Sequence, residues 1–230
     1  MLNQGIGLSG ENQEFFIRGR LDSLESRLNP DFKVRRILDF GCGIGTATRH
    51  LADRFEEAEV VGVDTSADAL RHARQRYGSD RVRFLELEGL GSEGDFDLCY
   101  VNGVFHHIAL TERRRAVATI HRVLRYGGRL ALFENNPWNP GARLVMKRIP
   151  FDREAKMLSL PGAMALVRAG AFSGQVRVGP SFTFQRPLAF LRFSEGALSP
   201  AGRSAILRPR HQVDRIESLA GHPPLTSRSP

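Results

Sequence analysis

The sequence predicts a doubly wound α/β protein, with a mostly parallel sheet between two layers of helices in a three-layer α/β/α sandwich. Three observations predict it. Short apolar runs alternate with stretches of helical periodicity from residue 36 to residue 133, a glycine-rich turn separates the first run from the helix after it, and no internal repeat interrupts the alternation. The 230 residues are enough for one such domain with an appendage, and 41% hydrophobic with 25% charged residues belong to an ordinary globular chain.

Each element follows from its own pattern. Residues 11–28 set Phe15, Phe16, Leu21, Leu24 and Leu28 near helical spacing, and Asn29-Pro30 closes that helix. Arg36 to Phe40 is an apolar first strand that breaks into Gly41-Cys42-Gly43-Ile44-Gly45. Helical periodicity resumes through Ala47, Leu51 and Phe55. Val60 to Val63 is the second strand, followed by Asp64 and by a helix to Tyr77 with Thr65 or Ser66 as N-cap. Val82 to Leu85 and Phe96 to Val101 are the third and fourth strands, the latter stopped at Asn102-Gly103. Thr111 to Arg125 is an amphipathic helix, which Tyr126-Gly127-Gly128 is expected to end through a left-handed glycine cap. Arg129 to Phe133 is the fifth strand. Strands joined through helices in this way run parallel with right-handed crossovers. Beyond residue 140 the pattern loosens into short helices at Leu144–Ile149 and Pro161–Ala169 and a strand or lid at Phe182–Phe193.

The net charge of +8 is unevenly placed. Residues 1–140 carry 19 Lys and Arg against 20 Asp and Glu, whereas residues 141–230 carry 14 against 5. No aromatic residues interleave with these cations on a helical or sheet face, so a solvated arginine-rich tail is expected in preference to a nucleic-acid groove. No apolar run reaches the ~18–20 residues of a membrane-spanning helix. Two cysteines, Cys42 and Cys99, are too few for a disulfide scaffold, and the first residues have neither a basic start nor an apolar stretch. A reduced, cytoplasmic location is the expectation. The seven histidines lack close ligand spacing, so no metal site is expected.

A glycine-rich turn between a first strand and a first helix is a general nucleotide-binding device. The dinucleotide pattern asks for glycines at relative positions 1, 3 and 6, which here are Gly41, Gly43 and Thr46; the missing third glycine counts against a nicotinamide-dependent oxidoreductase. Ile37 to Gly45 instead resembles the first motif of class I S-adenosylmethionine (SAM)-dependent methyltransferases, whose sheet is Rossmann-like. Val60 to Asp64 resembles their second motif, Phe96 to His107 their fourth, and Arg122 to Leu130 their helix-to-strand junction, with Tyr126 where proline is usual. The Asn-Pro-Pro-Tyr/Phe loop of amino-methylating DNA enzymes is absent, and Asn102-Gly103-Val104-Phe105 stands in its place.

The resemblance implies SAM as cofactor and assigns residues to it. Gly41, Gly43 and Gly45, with Cys42 as a small filler, form the loop beside the ligand; Asp39 lies near the aminoacyl portion, reached directly or through water. Asp64 accepts the ribose hydroxyls in preference to acting as a simple helix cap, with Thr65 beside the ribose or adenine. Glu88 stands near the adenine amino group unless the Glu86–Glu88 register slips, and Asn102 lines the pocket. His106 is the candidate catalytic base for an acceptor that must lose a proton, with His107 the lesser candidate. Residues 134–153 and Gly10 to Phe16 resemble a bacterial small-molecule subgroup associated with saccharide or lipid-linked modification, so a small-molecule or glycan acceptor methylated at O or N is expected. Trp138, the single tryptophan, either packs or stacks on a ring or sugar face. A non-catalytic or defective SAM-binding protein is the alternative.

The expected organisation is an N-terminal helical cap over 1–34, the methyltransferase domain over 35–195 and a basic, Pro-rich, disordered tail over 196–230. Such domains end on a strand inserted antiparallel beside the fifth, and the tail has five Arg, five Pro and little β-pattern. Roughly residues 197–230 are therefore expected to stay out of the sheet, which would lack its final strand and be left marginally stable. A frame change in the coding DNA would account for this, because codons for Ala205 to Arg210 can be chosen that read Gln-Tyr-Tyr-Val-Leu in a shifted frame.

Overall fold

The computed structural model of the protein describes residues 13–135, 137–138, 146, 155–170, 172–180 and 203–209. Helix α1 (Gln13–Glu25) precedes β1 (Arg36–Phe40), α2 (Thr46–Arg54), β2 (Glu59–Asp64), α3 (Ala67–Tyr77) and β3 (Val82–Glu86). A 3-10 turn (Leu87–Ser92) leads to β4 (Phe96–Asn102), α4 (Arg113–Val123) and β5 (Leu124–Phe133); α5 (Leu160–Ala169), β6 (Phe172–Pro180) and β7 (Arg203–Pro209) follow. The strands form one sheet in the order β3-β2-β1-β4-β5-β7-β6. β1 to β5 are parallel, and β7 is antiparallel to both its neighbours. Among the described residues no helix is long and apolar enough to cross a membrane.

Strand alternation divides the core. Leu38, Phe40, Val61, Val63, Cys99, Val101, Leu130 and Leu132 face one way and pack on Val117 and Ile120 of α4 and Val167 of α5. Ile37, Val60, Leu98, Tyr100, Ala131 and Phe133 face the other, against Leu51 of α2 and Leu70 and Ala73 of α3. Ile17, Leu21 and Leu24, one stripe of α1 at spacings of four and three, complete that second cluster. Helix α1 is thus sheet-covering, with Ile17 buried while Phe15 and Phe16 are half-buried.

Two expectations are corrected. Helix α4 does not end on a glycine cap: its C-cap is Leu124 in extended conformation, and the chain passes directly into β5. Gly127, at φ 73°, instead lies in a bulge of β5, where the register against β4 jumps from Phe96↔Leu124 to Leu98↔Arg129. A Cβ on Gly128 would meet the carbonyl oxygens of Phe96 and Arg125 at 2.9 and 3.0 Å, so both glycines serve the bulge.

The second correction concerns the end of the chain. The sheet does not lack its final strand: residues 203–209 form β7 between β5 and β6, with Leu207, Ala205 and Ile206 opposite Leu130, Leu132 and Ala131. Three β-compatible residues suffice for this pairing, and the arginines and prolines around them dilute the pattern when the tail is read as a whole. The shifted-frame peptide is not needed to supply the strand. Residues 196–202 and 210–230 lie outside the described residues, as do the Phe182–Phe193 segment and, apart from the helical, buried Met146, the Leu144–Ile149 segment.

At the amino end of the strands, one carboxylate sets the alignment of β1 with β4. Buried Asp97 Oδ2 accepts the backbone N–H groups of Arg35 and Arg36 at 2.7 and 2.8 Å, and its Oδ1 accepts from Arg125 Nε. Removing it leaves two backbone donors and a guanidinium without their acceptor. Asp97→Ala is expected to lower unfolding stability by about 2–4 kcal/mol in urea denaturation; a loss under about 0.5 kcal/mol, the scale of an ordinary surface substitution, would refute this role.

Candidate active site

The strand order reverses between β1 and β4, so the loops leaving their carboxyl ends part and open a crevice there. The first of these loops is Gly41 to Gly45, and its three glycines serve different ends. Gly41, at φ 78°, faces the β4 exit loop, where a Cβ would lie 2.5 Å from Val104 Cγ2. Gly45, at φ 81°, lies against Phe84 and Ala73, with a Cβ 2.9 Å from the ring. Gly43, at φ 53°, has no atom within 4 Å of its Cβ position and borders open space. A side chain at residue 41 would thus collide with Val104, whereas Gly43 presents the open face of the loop.

The loop's donors are engaged internally. Gly41 and Cys42 donate their N–H groups to Val63 O at 2.8 and 3.0 Å, Gly45 donates to Cys42 O at 3.0 Å, and Gly43 donates to Asp64 Oδ2 at 2.8 Å. A loop that cradles a pyrophosphate presents those groups to the ligand. This one turns four of its five N–H groups inward, an arrangement that suits a ligand without phosphate.

Asp64 closes β2 and holds the loop. Its Oδ1 accepts from Ser66 N at 2.9 Å while Oδ2 takes Gly43 N, and each oxygen of this half-buried side chain retains a second lone pair. The helix cap is Ser66, whose hydroxyl accepts from Ala69 N, so Asp64 is not the cap of α3. Thr65 and Glu88 are exposed, the latter in the first turn of the 3-10 segment, and neither is drawn toward the loop by a hydrogen bond. Cys42 is buried with its Sγ 3.0 Å from the Cβ position of Gly62; burial pushes its thiol pKa up, which makes it no nucleophile and leaves only its backbone beside the crevice.

Asp39 is fully enclosed at the end of β1, where its Oδ2 accepts from Thr48 Oγ1 at 2.6 Å. Burial raises its pKa to about 7, with the Asp64 charge adding to the rise and the Thr48 bond opposing it. Asn102, at the end of β4, accepts from Arg20 Nη1 of α1. Arg20 was not foreseen, because a single arginine on an N-terminal helix carries no pattern that ties it to a strand end eighty residues away.

Glu134, directly after β5, organises the second loop. Its Oε1 accepts from Val104 N and Phe105 N at 3.0 and 2.7 Å, and its Oε2 lies 2.7 Å from His106 Nδ1. Both side chains are buried. His106 and Glu134 thus form a dyad at the carboxyl edge of the sheet, and the His107 ring, exposed, lies 4.1 Å from that of His106. With an acceptor-only carboxylate at Nδ1, the neutral imidazole carries its proton there and its lone pair at Nε2. Trp138 is 56% exposed, so it is not a core residue. Among the described residues no group of three His, Cys, Asp or Glu side chains is placed to hold a metal ion.

Residues 37–128 match the methyltransferase domain family. The chain is 31% identical over 125 residues to the trans-aconitate 2-methyltransferase of Rhodopseudomonas palustris, covering 54% of this chain and 47% of the relative. It is 35% identical over 124 residues to the demethylmenaquinone methyltransferase of Thermus thermophilus, covering 52% and 56%. The chain spans about half the length of these relatives. A TehB-like SAM-dependent methyltransferase from Corynebacterium glutamicum shares the fold, with a TM-score of 0.56, 18% identity and coverage of 90% and 94%. Residues 37–128 are thus similar to methyltransferase domains, and the fold of the chain is that of a solved SAM-dependent methyltransferase.

The raised pKa of Asp39 has a definite sign. An acid that ionises near 7 in the folded chain and near 4 unfolded holds its proton more tightly when folded, so stability falls as pH rises from about 4 to about 7. Asp39→Asn keeps an acceptor for Thr48 and removes the titration. Its stability relative to the parent is expected to improve by on the order of 2–4 kcal/mol between pH 4 and pH 8. Urea denaturation across that range tests this, and a constant difference would refute the assignment.

Proposed function

We propose that the chain is an enzyme that transfers a methyl group from SAM to an oxygen or nitrogen of a small-molecule, saccharide or lipid-linked acceptor. The observation that carries the reading is the His106–Glu134 dyad standing near a glycine loop that turns most of its N–H groups inward, at the switch of strand order. The relatives named for trans-aconitate and for demethylmenaquinone support a small acceptor.

SAM supplies an electrophilic methyl group on a sulfonium, so the protein's contribution is to hold, orient and, where needed, deprotonate. Gly43 leaves room where a Cβ would intrude, and the second lone pairs of the Asp64 oxygens suit the two hydroxyls of a ribose. Asp39 is the acid for the aminoacyl end, Thr65 and Glu88 flank the nucleoside side, and Asn102 closes the crevice. Gly41, Cys42 and Gly45 shape the loop. For an acceptor that must lose a proton, His106 Nε2 would take it as the acceptor's electron pair bonds the methyl carbon, the methyl–sulfur bond would break to leave the thioether of the spent cofactor, and Glu134 would stabilise the imidazolium that results.

Asp64→Ala is expected to weaken SAM binding by roughly 1.5–3 kcal/mol in calorimetry, the scale of a hydrogen bond to a charged group. Unchanged affinity in a folded variant would remove the ribose assignment. For a hydroxyl acceptor, His106→Ala is expected to lower turnover about a hundredfold while SAM affinity holds. Screening acceptors by release of the demethylated cofactor gives the substrate for that measurement; parent-like turnover would reduce His106 to packing.

A further inference from the structure

Arg113 is the first residue of α4, and nothing in that helix accounts for it. The helix opens Arg113-Arg114-Arg115 with no acid in its first turn, and its N-cap, Glu112, makes no side-chain cap bond. The positive end of a helix disfavours cations. Arg114 and Arg115 face solvent, whereas Arg113 is only 4% exposed. Burial depresses its pKa, with the Glu134 charge opposing, and a guanidinium stays protonated through such a shift.

The side chain turns back from the helix to join two separate stretches of chain. Its Nε donates to Ile108 O at 3.0 Å and its Nη2 to Lys156 O at 2.5 Å. Lys156 in turn donates its backbone N–H to His106 O at 3.0 Å. These three bonds close a ring through the loop that bears the proposed base. The ring complements Glu134, which takes Val104 N, Phe105 N and the His106 ring. The chain leaves β5 at Glu134 and returns at Lys156, and both residues fasten the short stretch from Val104 to Ile108. Glu134 holds its donors; Lys156 and Arg113 hold its acceptors.

A base must be held close to its working geometry, since a displacement of about 1 Å near a reacting centre can cost about a hundredfold in rate. We propose that Arg113 is a positioning residue for His106: by gripping Ile108 O and Lys156 O in one fork, it locks the loop so that the imidazole stays on Glu134 with Nε2 left for the acceptor. This rests on the methyltransferase reading above. Lysine would carry the same charge but presents no rigid fork to two carbonyls.

Imidazole NMR reads the lock without an acceptor, at mildly alkaline pH on chain loaded with S-adenosylhomocysteine. The signal lost in His106→Gln assigns His106. The parent is expected to show the Nδ1–H tautomer with that proton protected from solvent. Arg113→Lys keeps the cation without the fork, and Arg113→Met removes both bonds with a side chain of similar reach. In each, the His106 Nδ1 proton is expected to exchange about tenfold faster or more, and the ring nitrogens to shift toward those of free imidazole. S-adenosylhomocysteine is expected to bind within about twofold of the parent. The signals of His50, buried on α2 across the sheet, are expected to hold.

Parent-like His106 signals in both variants overturn the proposal. Parent-like signals in Arg113→Lys alone do so too, because the charge and not the fork is then the agent. Loss of S-adenosylhomocysteine binding or of the His50 signals in both variants marks a general packing role and overturns it as well; if only Arg113→Met fails to fold, Arg113→Lys decides. A parent that takes up no S-adenosylhomocysteine overturns the methyltransferase reading and the positioning role together, whereas a binding parent with indifferent variants removes the role of Arg113 alone.

Discussion

The site depends on one steric fact: there is no side chain at residue 41. Val104 methyl groups occupy the volume that a Cβ would fill, at 2.5 and 2.7 Å, and the backbone there is left-handed. The exit loops of β1 and β4 can therefore touch although their strands diverge in connectivity. Glu134 then fastens the β4 loop by taking Val104 N and Phe105 N, and the oxygen left over orients His106. Loop, dyad and crevice follow from that contact. A larger residue at position 41 would move Val104, and with it the backbone from which His106 is hung.

The other end of the strands is rigid for a different reason. Asp97, Glu59 and Glu93 bind Arg35, Arg36, Arg83 and Arg125 in one continuous network, with Glu59 accepting from Arg36 and Arg83 at 3.0 and 2.7 Å. Isolated surface pairs contribute little, but here a buried carboxylate anchors backbone donors, and the register of β1 on β4 is fixed where the chain enters the sheet. The arginine richness of the sequence, which as bulk composition suggests only a solvated surface, has local work at this edge.

Much of this was legible in the residues. The first five strands and their helices are written in alternating periodicity, and Gly41 to Gly45 followed by Asp64 nineteen residues later marks the crevice without any coordinates. What escaped depends on contacts distant in sequence. Arg20 and Asn102 are 82 residues apart, and Glu134, which its place after the fifth strand puts beside the site, shows no pairing with His106 until the sheet sets the two together. Gly127 was misread because a glycine after a helix most often caps it, whereas here it relieves a bulge. The tail was misread because Ala205-Ile206-Leu207 is shorter than the window over which β-pattern is judged. A strand slotted between two others takes its stability from both neighbours and needs less of its own.

The place of β7 has a consequence for how the chain is assembled. It is the last described strand in sequence but an interior one in space, and β6 meets the sheet through β7 alone. During synthesis β1 to β5 can pair as they emerge, while the free edge of β5 waits, and β6 has nothing to join until residues 203–209 leave the ribosome. The half of the sheet that bears the crevice can therefore form before β7 exists, and the other half is a late insertion across a long stretch of chain. Chaperone dependence in this protein would be concentrated in the interval between the completion of β5 and the arrival of β7.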